Sequence, residues 1–161
     1  MNRISQQKLL NAVFGSVYDA EFQPESMDNR VMLQKAVFLM REQGISCGDY
    51  EFVWDHFGPF SAELSDDMKM EIEDENTQPV EFNSEAVETM ERLKKAFSCE
   101  TEYSVRYWVE AIASLLYLKK YVYPSYNDQE IIQALEDKKQ DLRQHEENVK
   151  AMNVLKEMLA V

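Results

Sequence analysis

Tyr50-Glu-Phe-Val-Trp-Asp-His-Phe-Gly-Pro-Phe-Ser-Ala-Glu-Leu-Ser-Asp-Asp-Met68 decides the fold, because it alone joins an alternating strand pattern, a Gly-Pro turn and a capped helix. Tyr50, Phe52 and Trp54 alternate with Glu51 and Val53, and a period of two predicts a short strand with one buried face. Gly58-Pro59 then breaks it. Ser61 is placed to accept a hydrogen bond from a free N–H of the next helix. Glu63 lies in the positive first turn of that helix, and Phe60 and Leu64 are spaced to clamp its entry. The helix is expected from about Ser61 to Ile72, followed by an exposed turn at Glu73-Asp-Glu-Asn-Thr-Gln78. Pro79-Val-Glu-Phe82 is expected to return beside Tyr50–Trp54 as an edge strand, completing a small two-stranded wing.

Working outward, Leu9, Leu10, Val13, Phe14 and Val17 recur at helical spacing after Ser5, a candidate cap, with Ile4 and Leu9 placed as a staple. This helix should end near Tyr18. A second helix is expected from a cap at Asp28 to about Gln43, where Gly44 stops it. Its apolar residues Val31, Leu33, Ala36, Val37, Phe38, Leu39 and Met40 cover most of its circumference, so it should be central. Asn83 or Ser84 opens a helix with a Val87, Met90, Leu93, Phe97 stripe. Tyr103–Lys120 is equally apolar and should pair with the second helix. Asn127 and Glu130 form a capping-box start. Residues 128–159 read either as one long helix to Leu159 or, the favoured reading, as two helices meeting near Lys139, with Asp141 and Gln144 as a candidate cap for the second. The reading is mainly α (α+β), a single domain over residues 1–161 with six to seven helices. A winged-helix-like module occupies about 28–82 and a helical part about 83–161.

The apolar content of 45% suits one globular core. No apolar run reaches the roughly 18 residues of a membrane span, and the polar start is no secretory signal, so a cytoplasmic protein is expected. Cys47 and Cys99 lack CxxC spacing and are expected to be free thiols. The net charge is −13. Residues 49–91 hold 14 acids against the single base Lys69, while the other 118 residues balance 16 acids with 16 bases. The whole excess therefore sits on the central module.

Three blocks carry a likeness: Arg30-x-x-Leu33-Gln34-Lys35, Phe57-Gly58-Pro59-Phe60-Ser61-x-x-Leu64-x-x-Asp67, and Glu110-x-x-Ala113-Ser114-Leu115-x-Tyr117-Leu118. They resemble the YwgA-like proteins of bacteria, archaea and their phages over roughly residues 28–160. The Leu-Gln-Lys and Gly-Pro blocks are also similar to the Panacea domain of SocA-like antitoxins. The first resemblance implies no established enzyme activity, and the second implies an antitoxin that neutralises a toxic protein partner. Phe57 and Phe60 stand where the family often has Tyr, and Ile72–Pro79 lacks the family's Gly-containing turn.

No catalytic motif is present. Ser61 lacks the Gly-x-Ser-x-Gly elbow and reads as a cap, and Asp55 and His56 should point to opposite faces of a strand. Asp66, Asp67, Glu71, Glu73, Asp74 and Glu75 lack the spacing and central Gly of a calcium loop, so neither a metal nor a cofactor is expected. Gln34 and Lys35 lie on an otherwise buried helix and should reach a polar group. That contact either holds the Gly58-Pro59 turn, with Phe57, Phe60 and Ser61 around it, or meets a ligand. The functional expectation is a non-enzymatic interaction module of antitoxin or phage counter-defence type. Its acidic face, with Glu63, Asp66, Asp67 and Glu71 as partner-binding residues, would engage a basic protein, either a toxin or a defence or nucleic-acid-binding protein. The alternative is a winged-helix transcription regulator, but its recognition helix would offer phosphates mostly carboxylates, so direct DNA binding is not expected.

Overall fold

A computed structural model describes residues 3–69 and 79–160, Arg3 and Ile4 by backbone alone. The described chain is mainly α: α1 (Arg3–Tyr18), α2 (Met27–Glu42), β1 (Val53–Asp55), β2 (Gly58–Phe60), α3 (Ala62–Met68), α4 (Ser84–Phe97), α5 (Val105–Tyr117), α6 (Asp128–Lys138) and α7 (His145–Leu159). A π-helical turn, Leu118–Val122, extends α5. The two strands form one small antiparallel sheet.

The two helices that are apolar on most faces are the central pair. α2 and α5 pack more extensively on each other than any other two helices do, and Leu33, Ala36, Phe38, Trp108, Ile112 and Leu115 are fully buried. The Trp108 indole N–H donates to Ala96 O at 2.9 Å, so the largest core side chain also ties α5 to the end of α4. Around this pair, α1 rests on α2, α3 and α4, while α6 and α7 close the side beyond α5. One cluster of buried side chains draws on all seven helices.

Several boundaries follow the expected chemistry. Gly44 adopts φ +89°, and Gly44 N–H and Ile45 N–H donate to Arg41 O and Met40 O, the paired bonds that finish a helix through a left-handed residue. Asn83 caps α4, and Asn127 with Glu130 forms a complete capping box on α6. α6 and α7 are separate helices, with Lys139 at the end of the first.

Other boundaries differ. Ser26, not Asp28, caps α2, its hydroxyl accepting from Asn29 N at 3.1 Å. Asp28 instead sits in the first turn, where its charge complements the helix dipole. α1 begins at Arg3, so Ser5 lies inside it, and the proposed Ile4 staple falls outside the described side chains. α7 starts at His145 rather than Asp141, because the buried Leu142 plugs the intervening loop and Asn148 Nδ2 bonds Leu142 O at 2.9 Å.

The wing is built differently from the sequence expectation. Gly58-Pro59 does not end the strand region but forms the return strand, with Val53 opposite Phe60, Trp54 opposite Pro59 and Asp55 opposite Gly58. A two-residue turn, His56-Phe57, brings these segments together at far lower loop-closure cost than a return from Pro79. Residues 79–82 form no strand. Pro59 is tolerated because a two-stranded sheet has only edges. The expected exposed turn at 73–78 and the helix end at Ile72 lie outside the described residues.

Candidate functional site

The site is the hairpin and the polar groups beneath it. Gln34 and Lys35 point from α2 into this region, and both are buried. Gln34 Nε2 donates to Ser61 O at 2.8 Å, while Ser61 N–H donates to Gln34 Oε1 at 3.0 Å. Lys35 Nζ donates to Pro59 O at 2.8 Å. Ser61 Oγ accepts from Leu64 N at 3.2 Å, so the serine is the cap of α3 and α2 holds its backbone from behind. Of the two contacts expected for these residues, the one within the fold is present: Lys35 holds the Gly58-Pro59 segment and Gln34 holds Ser61, two residues after Pro59.

Gly58 completes the lock. Its φ is +82°, and a Cβ there would stand 2.3 Å from Ser114 Oγ on α5. Only glycine permits both the left-handed backbone and that approach. Arg106, Glu110 and Ser114 recur every four residues on α5 and therefore share one face. Glu110 is 1% exposed, and Lys139 Nζ lies 3.6 Å from its Oε2. Burial pulls the Lys35 ammonium down to about 7. Lys139 and Arg106 add to that effect, and the carboxylates of Glu110 and Asp55 oppose it. Burial likewise raises Glu110, against the pull of Lys139, Lys35 and Arg106. Glu110 Oε1, Ser114 Oγ and Arg106 Nε have no hydrogen-bond partner among the described residues.

Phe57 and Phe60 are half-buried rather than core residues. The Arg106 guanidinium lies 4.8 Å from the Phe57 ring centroid and the Lys139 ammonium 5.8 Å, so cations on α5 and after α6 hold the hairpin tip. His56 is exposed in the turn, and its backbone N–H donates to Asp55 Oδ1 at 2.8 Å. Among the described residues Ser61 bonds neither an imidazole nor a carboxylate. Among the described residues no group of three or more His, Cys, Asp or Glu is placed to hold a metal. Cys47 and Cys99 are free, and burial pushes the Cys47 thiol up to about 11, away from thiolate reactivity.

The acidic residues divide. Glu63 and Asp66 are exposed on α3. Asp67 is half-buried, and its Oδ2 accepts from Tyr50 OH at 2.7 Å, so it serves the fold and is not simply an outward contact. Glu71 lies outside the described residues. Sequence reasoning passed over Arg106, Glu110 and Lys139 as parts of the site. The available signal was the four-residue spacing of Arg106, Glu110 and Ser114 on an otherwise apolar helix. Comparison of the chain with family models, curated proteins and solved structures finds no match.

Proposed function

We propose that the protein is a non-enzymatic interaction module of antitoxin or phage counter-defence type, whose acidic surface binds a basic protein partner. One observation carries this reading. Asp49, Glu51, Asp55, Glu63, Asp66, Glu81, Glu85, Glu88 and Glu91 are all exposed, and among the described residues none lies in an ion pair. Acids left without internal partners present an uncompensated negative field, which attracts a basic surface and speeds its approach. α3 and α4, which carry five of these nine residues, both rest on α1. The antitoxin type comes from the resemblance of the Leu33-Gln34-Lys35 and Gly58-Pro59 blocks.

The test is recovery of a partner from host lysate at low and high salt, by the wild type and by Glu63→Lys with Asp66→Lys. Asp67 is spared because it bonds Tyr50. A partner held at low salt, released at high salt and lost by the double variant supports the reading. Equal recovery by both proteins at both salts overturns it.

A further inference from the structure

We infer that the open edge of β1 takes an extended segment of the basic partner as a third, antiparallel strand, with Lys or Arg facing Glu51 and Asp55, an inference that rests on the interaction reading above. The two edges of the sheet are unlike. Along β2, Lys35 Nζ donates to Pro59 O, and the Gln34 side-chain amide exchanges two hydrogen bonds with the Ser61 N–H and C=O, as a neighbouring strand does. α2 and α5 both pack on β2, whereas among the described residues no helix packs comparably on β1.

Pro59 fixes which groups face outward on β1. It has no N–H, so its pair with Trp54 is the kind that exchanges no hydrogen bonds, and the Trp54 N–H and C=O turn to the open edge. Phe52, two residues earlier, turns the same way by strand alternation, and its N–H and C=O have no partner among the described residues. Arg41 ends the open stretch by donating to Tyr50 O at 3.1 Å, with its guanidinium 5.7 Å from the Phe52 ring centroid. Phe52 and Trp54 thus leave two donors and two acceptors for an added chain.

The side chains choose that chain. Glu51, Val53 and Asp55 share the exposed face, where Val53 is 58% exposed. Neither carboxylate lies in an ion pair among the described residues. Phe52 and Trp54 lie half-buried on the other face, the Trp54 ring 5.9 Å from that of Tyr117. A second copy of this chain is disfavoured, because β1 paired antiparallel with itself about Val53 sets Glu51 opposite Asp55 twice, like charge against like. A strand with Lys and Arg at those two positions and a β-branched residue between them turns both repulsions into attractions and covers Val53.

The probe is acetyl-Thr-Lys-Thr-Val-Thr-Arg-Thr-amide, which sets Lys against Asp55, Val against Val53 and Arg against Glu51, titrated by NMR into 15N-labelled full-length protein at low and high salt. Its control has the same charge but carries N-methyl groups on the two threonines beside the valine, whose N–H groups donate to Trp54 O and Phe52 O in the added strand. The unmethylated peptide should bind about tenfold or more tightly than the control, from the two hydrogen bonds. It should also slow hydrogen exchange at the Phe52 and Trp54 amides. Glu51→Gln with Asp55→Asn should weaken that binding several-fold and reduce its salt dependence, while Asn retains the oxygen that accepts from His56 N–H. Equal, salt-sensitive binding of both peptides with unchanged exchange at those amides overturns the edge and leaves the acidic-surface reading standing. Failure of both peptides to bind at low salt also overturns the edge, and the acidic-surface reading is then decided by the lysate experiment on Glu63 and Asp66, which lie on α3.

Discussion

The C-terminal helices ion-pair some of their carboxylates, whereas the segment from the hairpin to α4 pairs none of its exposed ones among the described residues. Outside residues 49–91, Asp128 is gripped by Lys119 and Lys156 at 2.8 Å, Glu136 by His145 at 2.9 Å, and Glu42 by Lys120 at 2.6 Å. Within that segment, exposed acids stand on β1, α3 and α4 with no ion pair among the described residues. The segment's internal ties are nonetheless strong. Gln34 and Lys35 reach the hairpin from the core, and Tyr50 binds Asp67. Buried polar groups fix the shape of the hairpin, and the proposed binding role falls to the carboxylates on its outside.

The buried half of this comparison breaks most easily at Lys35. Lys35→Met removes the cation facing Glu110 and leaves Pro59 O without its donor, and it should cost about 3–5 kcal/mol in chemical denaturation. The pH dependence has a definite sign. Lys35 titrates near 7 when folded against 10.5 when unfolded, so between these values the unfolded chain binds more protons. Stability contributed by this site should therefore rise as pH is raised from about 7 towards 9.5, and Lys35→Met should flatten that rise. Glu110, Lys139, Asp55 and Arg106 face the same amine and are unchanged in that comparison. A wild-type minus variant difference that is constant from pH 6.5 to 9.5 would contradict the assignment.

Gly58→Ala should cost about 2–4 kcal/mol, from the left-handed backbone and the collision with Ser114 together. Ser114→Gly in the same chain should recover part of that loss, which separates the collision from the backbone strain. Phe57→Ala should cost about 1–2 kcal/mol, less than a core phenylalanine, because the ring is half-covered and held by cations. A loss above 4 kcal/mol in thermal melts would make Phe57 a core residue after all.

Much of the fold was legible in the sequence because the signals were local. Asn83, Asn127 with Glu130, and Ser61 cap their helices through bonds spanning three residues, and the apolar circumferences of α2 and α5 mark the central pair. Partner choice in the wing was not local. Pro59 reads as a strand breaker in isolation, and its pairing with Trp54 depends on the tight His56-Phe57 turn and on Lys35 holding the Pro59 carbonyl. The site was half visible for the same reason. Gln34 and Lys35 stood out as polar residues on a buried helix, whereas Glu110 acquires meaning only when Lys35 and Lys139 are brought to it from other elements.

The unpaired half of the comparison is sharpened by a change that should barely touch stability. Glu63→Lys with Asp66→Lys alters two exposed side chains and should stay within about 0.5 kcal/mol of wild type. The direct measurement is the association rate of wild type and this double variant with the recovered partner, at low salt and again at physiological salt. Opposite-charge steering predicts that wild type associates about 10-fold or more faster at low salt, that added salt removes the gain, and that dissociation changes less. Equal association rates for the two proteins at low salt would contradict the acidic-surface account.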